Sequence, residues 1–486
     1  MTGYEEERLN SHAVNERLAA LRALYSTASG RSGESGGSHG AQASAQAGPS
    51  TASAGAGGYA LPPLGREVNN HVHTTYSFSP YSPAAAAWEA RKAGLSVVGS
   101  IDHDSLGAAG EMRDAASIVG LGSTTGVEVR VDFRGTPFGD RPLNNPDGGG
   151  IAYIVVHAVP EGARGRFAAF LEPVREARSK RTRRMTAELS ALLTACGCAA
   201  LDYETDVLGC SRFHDGGGVT ERHMLYAAAK RVLESAGRGQ ALVTWLEEKL
   251  KVDVPSSTRP PLEDAENPYL LYDLLGVFKR ELLPSVYIAP NERECVPVEQ
   301  VVNLAREAGA IPAYSYLGDI EASVTGDKRP ARFEDAYLDE LIRWVREVGF
   351  AAVTYMPPRN TKAQLARLSA LCRTHDLIEI SGVDINSPRQ TFNCPEVLEP
   401  EYEHLIDSAW ALVMHERVAD IDVDAGLLAR SGAMAALSPR ERPRVLARGA
   451  ADIDWSREVS GEALAAVVYE QCQESDRQHN NTGVRT

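Results

Sequence analysis

The 486-residue sequence is short of cysteine and of long apolar runs. Its seven cysteines are an odd number without the regular spacing of a disulfide framework, which indicates reduced thiols in a cytoplasmic protein. No apolar run is long enough to span a bilayer. The acidic start, Glu5-Glu6-Glu7, is also unlike a secretory signal. We therefore expect a protein without membrane partners.

Positive charge and aromatic residues are also scarce. Asp and Glu number 65 against 50 Lys and Arg, which gives a formal net charge of −15, whereas a general grip on nucleic acid needs a basic surface. Aromatic residues make up 7% of the chain and form no stripe on which single-stranded bases could stack. Short oligonucleotides are the only nucleic acids that we retain as partners.

Glycine, serine and alanine dominate one segment and divide the chain. Residues 29–60 consist almost entirely of these three types, which predicts a disordered linker after an N-terminal helix at 1–28. A globular body follows at 61–396, with a helical insert at about 224–296. We expect a C-terminal helical extension at 397–473 and a disordered polar tail at 474–486.

Short apolar runs alternate with helical patterns through the globular body. Alternation of this kind favours a parallel α/β barrel over a sandwich. In such barrels the active site lies at the carboxyl ends of the strands. The predicted strands are 68–74, 95–101, 125–131, 151–158, 310–316, 350–355 and 377–383.

The most informative residues stand where these predicted strands end. His71 and His73 are two residues apart, so both side chains project from the same face of a strand. The second run ends in Asp102-His103-Asp104 and the third in Glu128. Imidazole and carboxylate groups at successive strand ends are suitable ligands for first-row metal ions. Further candidates that follow strands or open a helix are His157, His223 and Asp384.

These motifs resemble those of the PHP (polymerase and histidinol phosphatase) domain family over most of residues 66–390. The resemblance is most specific at His71-Val72-His73, Asp102-His103-Asp104 and Gly126-Val127-Glu128, and is moderate at Arg222-His223. It implies an α/β fold, a distorted TIM-like (β/α)7 barrel. It also implies two or three divalent ions, zinc, manganese or iron, and a metal-bridging hydroxide that hydrolyses a phosphate ester.

The resemblance also implies roles for single residues. It makes His103, Asp384 and Asp102 the catalytic candidates, since either aspartate beside His103 could orient that ring. The metal ligands that it implies are His71, His73, His103, Glu128, His157, His223 and Asp384.

Three positions depart from the family pattern. Ser77-Phe78-Ser79 stands where many members have Ser-Asp-Gly, and Tyr314 stands where a late strand often ends in Ala-His-Pro. The closing Asp-x-His becomes Asp384-Ile385-Asn386. These losses are compatible with two metal ions instead of three, and also with Tyr314 and Asn386 as substrate-binding residues.

Arginines near the predicted ligands are candidates for binding phosphate. Arg178 and Arg181 belong to a row of arginines on the helix after His157, and guanidinium groups suit contacts with phosphate oxygens. Arg222 precedes His223, and Arg130 shares a strand face with Glu128. The alternative for the helical row is a solvated basic face or ion pairs with neighbouring glutamates.

Three functions fit these observations. The first is a metal-dependent phosphoesterase for a small phosphorylated metabolite or nucleotide. The second is a nuclease for short oligonucleotides, which the same ligands and the arginine row would support. The third is a degenerate PHP module that serves as a non-catalytic, metal-bound scaffold. The three departures from the family pattern support this third function.

Overall fold

The computed structural model describes residues 2–30, 60–145, 149–319 and 332–482. Its central element is a nearly closed barrel of seven strands, and each of these strands overlaps a predicted one. A two-residue strand, β5, pairs with β3 outside this path. In chain order the strands are β1 (Val68–Val72), β2 (Val97–His103), β3 (Gly122–Asp132), β4 (Ile151–His157), β5 (Val296–Pro297), β6 (Ile311–Ser315), β7 (Ala352–Tyr355) and β8 (Ile378–Ser381).

The strand order around the barrel is β1-β2-β3-β4-β6-β7-β8. The (β/α)7 prediction is confirmed, but β4 runs antiparallel to both β3 and β6, so the expectation of a wholly parallel barrel is wrong. The reason lies in the connection: β3 reaches β4 without an intervening helix, whereas a parallel pair needs a crossover.

Backbone hydrogen bonds close the barrel between β1 and the chain that follows β8. The amide of His73 donates to the carbonyl of Ile385 (2.9 Å), and the amide of Ile385 donates to the carbonyl of His71 (3.1 Å). Asn69 adds a side-chain bridge, because its Oδ1 accepts from the amide of Val383 (3.0 Å). The two histidines of the first motif therefore lie at the closing seam.

Helices cover the barrel, fill an insert between β4 and β5, and form the C-terminal part. They are α1 (Thr2–Arg8), α2 (Val14–Ala28), α3 (Pro83–Lys92), α4 (Ala109–Val119), α5 (Arg164–Ala195), α6 (Glu221–Ala236), α7 (Gln240–Glu248), α8 (Arg259–Glu263), α9 (Leu270–Glu281), α10 (Leu283–Val286), α11 (Val298–Glu307), α12 (Leu338–Val348), α13 (Lys362–Thr374), α14 (His404–Val418), α15 (Gly432–Ala436), α16 (Glu441–Ala451) and α17 (Gly461–Thr482). Among the described residues, none of these helices has the length and apolarity that a membrane crossing requires.

The N-terminal segment forms two helices: α1 packs on α2, and α2 packs on α3 and α4 through a shared apolar cluster. Arg17 of α2 is buried and pairs with Glu111 of α4, with 2.7 Å between Nε and Oε1. The predicted linker at 29–60 lies outside the described residues except for its ends.

The C-terminal helices pack against barrel residues that include Ile311 and Ile380. The last helix, α17, continues to Thr482, so residues 474–482 are helical where composition predicted a disordered tail. Burial of Leu464, Val468 and Cys472 anchors the first part of this helix, and a helix that is already nucleated extends at little cost.

Candidate metal centre

His71, His73 and Glu128 form the centre of the site. One ligand atom from each lies within 4.8 Å of the other two. The Nε2 atom of His71 is 4.0 Å from Oε1 of Glu128, and Nε2 of His73 is 3.9 Å from Oε2. Burial opposes ionisation of Glu128, but the adjacent His103, His71 and His73 outweigh it and lower the carboxyl pKa to about 2. An ionised carboxylate therefore faces three imidazoles.

His103 and Asp384 complete one side of this group. Nδ1 of His103 pairs with Oε2 of Glu128 at 2.9 Å. Nε2 of His73 lies 3.2 Å from Oδ1 of Asp384. Burial disfavours the Asp384 carboxylate, but His73 reverses this effect and keeps its pKa well below the usual range.

His157 lies deeper in the barrel than the sequence suggests. Because β4 is antiparallel, His157 pairs with Ile311 at the start of β6, away from the carboxyl ends of the parallel strands. Burial, and after it the neighbouring His71, lower the His157 pKa to about 3, so the ring is neutral at physiological pH. Both ring nitrogens are buried and lack hydrogen-bond partners among the described residues. Such orphaned nitrogens are costly unless a ligand completes them, so they fit a bound metal ion.

We name His71, His73, His103, His157, Glu128 and Asp384 the histidine cluster. Neutral imidazoles and ionised carboxylates are the donor set that zinc, manganese and iron bind. Of the predicted ligands, the structure therefore brings together His71, His73, His103 and Glu128, and Asp384 lies beside them.

His223 is placed apart from the histidine cluster. It lies in the first turn of α6, where its Nδ1 accepts a hydrogen bond from the amide of Thr220 (3.0 Å). The ring of Phe78 meets it edge-on, with 5.0 Å between ring centroids. When Nδ1 accepts, the proton of the neutral ring resides on Nε2. This geometry favours His223 as a hydrogen-bond donor over its predicted role as a metal ligand.

Asp102 does not orient the His103 ring as the sequence suggested. Its carboxylate accepts hydrogen bonds from the amide and hydroxyl of Thr74 and from the hydroxyl of Ser77. The reason is local: successive strand residues point to opposite faces, so Asp102 and His103 diverge. Asp102 binds the turn after β1 instead.

Three of the predicted phosphate-binding arginines belong to a buried ion-pair network. Glu294, which precedes β5, lies 2.7 Å from Nη1 of Arg130, 3.2 Å from Nε of Arg178 and 2.6 Å from Nε of Arg181. Glu221 also binds Arg181 (2.7 Å), and Asp104 lies 3.0 Å from Arg178. We name these six residues the arginine network.

Hydrogen bonds do not satisfy every polar atom of the arginine network. Nη2 of Arg178 and both carboxylate oxygens of Asp104 are buried and have no hydrogen-bond partner among the described residues. Arg130 is held by the hydroxyl of Tyr153, which accepts from its Nε (2.9 Å), and the Tyr153 ring lies 5.6 Å from that of His103. Sequence reasoning missed Tyr153, Glu221 and Glu294. The inward register of β4 could have indicated Tyr153, because it shares a strand face with His157 and Val155.

Arg222 and Asn386 lie beside Asp384. Nη1 of Arg222 donates to Oδ1 of Asn386 (2.6 Å), whose Nδ2 donates to Oδ1 of Asp384 (2.7 Å). The positive charge of Arg222 also contributes to the low pKa of Asp384. These contacts place both residues beside a predicted metal ligand. Both are also only half-buried, so a substrate could reach them.

Tyr314 contradicts its predicted role in substrate binding. Its side chain is fully buried in the main apolar core, where it meets the rings of Phe133 and Phe350. Tyr314 is registered opposite Ile154 and shares its outward face, whereas the next residue, Ser315, points to the other side. Alternation along β6 thus removes the ring from the site.

Gly382 allows the seam and the histidine cluster to meet. A Cβ atom at this position would lie 2.5 Å from Cβ of His71 and 2.8 Å from its backbone nitrogen. These distances are shorter than real contacts, so a side chain here would push His71 out of place.

Comparisons with solved structures give several distant likenesses, two of which follow. An amidohydrolase from Chromobacterium violaceum, solved with bound sulfate and no metal, is 18% identical with a TM-score of 0.44, covering 68% of this chain and 90% of that one. A candidate metal-dependent phosphoesterase from Bifidobacterium adolescentis has the same identity and TM-score, covering 70% of this chain and 96% of that one. No family profile and no curated protein matches the sequence.

Proposed function

We propose that this protein is a metal-dependent hydrolase of the PHP type, and most specifically a phosphoesterase that acts on a small phosphorylated metabolite or nucleotide. The observation that carries the proposal is the histidine cluster, in which His71, His73 and Glu128 converge within 4.8 Å. The orphaned nitrogens of His157 add to it, since they lack any partner that the described residues could supply.

The histidine cluster would hold two divalent ions, zinc, manganese or iron. When bound, ions at such a site lower the pKa of a water molecule and polarise the phosphoryl group. Phe78 and Asn386, where relatives have ligands, support two ions rather than three, as does the Thr220 contact of His223. Glu128 and Asp384 contribute the negative charge that balances such ions.

The chain's own cations would orient the substrate. Arg178 offers its free Nη2 nitrogen from a fixed position, because Glu294 and Asp104 hold the rest of the guanidinium. Arg222 is held by Asn386, a neutral partner, so its charge is not cancelled within that pair. Two such groups would bind the non-reacting phosphate oxygens.

We further propose that the protein works in the cytoplasm. All seven cysteines lie among the described residues, where none forms a disulfide, and five of them are buried. Reduced cysteines in this number are usual where glutathione keeps thiols reduced.

The proposal is tested by elemental analysis of protein purified without added metal, followed by a panel of phosphate monoesters and diesters. We expect about two divalent ions per chain and metal-dependent phosphate release. His103→Ala and Asp384→Asn should abolish release. His375→Ala should not, because His375 lies outside the site at the C-terminal end of α13. Inactivity of metal-loaded protein on the whole panel would refute the phosphoesterase. An end-labelled oligonucleotide digest decides whether a nuclease replaces it.

A further inference from the structure

The turn that follows β1 is bound by a single carboxylate. Oδ1 of Asp102 accepts from the amide of Thr74 (2.7 Å) and from the hydroxyl of Ser77 (2.6 Å), and Oδ2 accepts from the hydroxyl of Thr74 (2.6 Å). Thr74, Ser77 and Asp102 are at most 1% exposed. Buried hydrogen bonds to a carboxylate are short and strong, so the position of the Ser77 hydroxyl is fixed.

Ser77 also contacts the metal site. Its Oγ lies 3.3 Å from Nδ1 of His73, the ring nitrogen that points away from the histidine cluster. The hydroxyl has one proton, and Asp102 accepts it. Towards His73 the hydroxyl can therefore only accept, which places the ring proton on Nδ1.

A proton on Nδ1 leaves the lone pair of the neutral ring on Nε2. That nitrogen lies 3.9 Å from Oε2 of Glu128 and 3.2 Å from Oδ1 of Asp384, inside the histidine cluster. A metal ion binds the unprotonated nitrogen, and the hydrogen bond at the opposite nitrogen sets which one that is.

We propose that Ser77 and Asp102 are positioning residues, which fix the tautomer and the ring orientation of His73 so that Nε2 is presented to a metal ion. The proposal rests on the metal site of the proposed function. The sequence suggested that Asp102 orients His103. In this proposal Asp102 instead acts on His73, through the hydroxyl of Ser77.

The residues around Ser77 supply matched variants. Ser77→Ala removes the acceptor, and Ser77→Thr keeps a hydroxyl at the same atom. Ser79→Ala is the control, because Ser79 is nearly as buried and belongs to the same turn, but its Oγ bonds to the amide of Tyr81. Asp102→Asn removes the charge and risks misfolding, so the test does not depend on it.

The first measurement is calorimetric titration of the metal-free protein with Mn²⁺. We expect Ser77→Ala to weaken the apparent Kd by about 10- to 100-fold, the usual effect of losing a hydrogen bond behind a ligand. Ser77→Thr should restore most of this affinity, and Ser79→Ala should match the unchanged protein. Equal affinities for Ser77→Ala and Ser79→Ala would overturn the inference.

The second measurement is long-range ¹H–¹⁵N NMR of the imidazole rings in protein loaded with diamagnetic Zn²⁺. His73 should show a proton on Nδ1, and Ser77→Ala should broaden or shift that signal, which a loss of general stability would not do. A proton on Nε2 in the unchanged protein would contradict the proposal. If the unchanged protein binds neither metal, the proposed function fails; if it binds and Ser77 has no effect, only this inference fails.

Discussion

The arginine network and the histidine cluster are neighbouring buried polar groups, and they differ in how far the chain itself balances them. In the arginine network Asp104, Glu221 and Glu294 balance the charges of three guanidinium groups. Among the described residues, Nη2 of Arg178 and both carboxylate oxygens of Asp104 lack hydrogen bonds, but each of these two groups faces the opposite charge of the other. In the histidine cluster both nitrogens of His157 lack hydrogen bonds among the described residues. The charges of the network are therefore paired within the chain, whereas the His157 ring has no polar partner there and needs a ligand.

Two histidines show the same difference at the scale of one ring. His157 and His415 are both completely buried. Nε2 of His415 donates to the carbonyl of Gly309 (2.7 Å) and its Nδ1 accepts from the amide of Leu427 (3.0 Å), so its hydrogen bonds are complete. His157 has neither bond. A buried histidine indicates a binding site only when its ring nitrogens have no hydrogen-bond partners within the protein.

The largest effect should come from a change inside the histidine cluster. Glu128→Gln keeps the volume of the side chain but removes the charge that faces three imidazoles. We expect bound metal to fall by at least one ion per chain and metal-dependent turnover to fall by more than about 100-fold, since losing a supporting residue alone costs up to that much. Mass spectrometry of metal content and phosphate release are the readouts. Glu307→Gln, on the surface, is the control, and a Glu128→Gln protein with full metal content would contradict the assignment.

A substitution in the arginine network should lower the free energy of unfolding rather than the metal content. Glu294→Ala leaves three buried guanidinium groups without their common partner, and breaking a buried ion pair costs about 3–5 kcal/mol. Urea denaturation measures the change in free energy of unfolding. Glu307→Ala removes an exposed partner of Arg166 and should cost less than about 1 kcal/mol. Equal costs for the two variants would show that the network does not act as a buried unit.

A smaller effect is a pH dependence that His415 contributes. Burial lowers its pKa to about 4 in the folded protein, against 6.5 ordinarily. Between these values the unfolded chain binds a proton that the folded chain refuses, so stability falls as the pH drops from about 6.5 towards 4, by up to about 3 kcal/mol. His415→Gln should flatten this slope in urea denaturation series, while His375→Gln should leave it. An unchanged slope would mean that the His415 ring is protonated in place.

The smallest predicted effect concerns substrate binding. Arg222→Ala should raise KM for a phosphoester substrate about tenfold, which corresponds to roughly 1.4 kcal/mol, without changing metal content. Steady-state kinetics and elemental analysis together measure this. Arg231→Ala on the same helix, where Asp206 holds the guanidinium, should leave KM as it is. Loss of metal in the Arg222 variant would place this arginine with the ligands rather than with the substrate.

The sequence predicted the seven strands and the residues that meet at their ends, because apolar runs and their polar boundaries are local properties. It could not predict the antiparallel direction of β4, which depends on how a long connection folds back. It placed Tyr314 in the site, because one position of register decides between the two faces of β6. It left Arg178 open between a phosphate contact and ion pairs with neighbouring glutamates, and it could not indicate the actual partner, Glu294, which lies 116 residues away in the chain.

Gly382 has a consequence for the tolerance of this site to mutation. Its missing side chain leaves the space that His71 occupies, because a Cβ atom at residue 382 would lie only 2.5 Å from Cβ of the histidine. Every other amino acid carries that atom, so the position admits no graded series of substitutions. In a library randomised at this codon and selected for metal binding, we expect glycine alone to return.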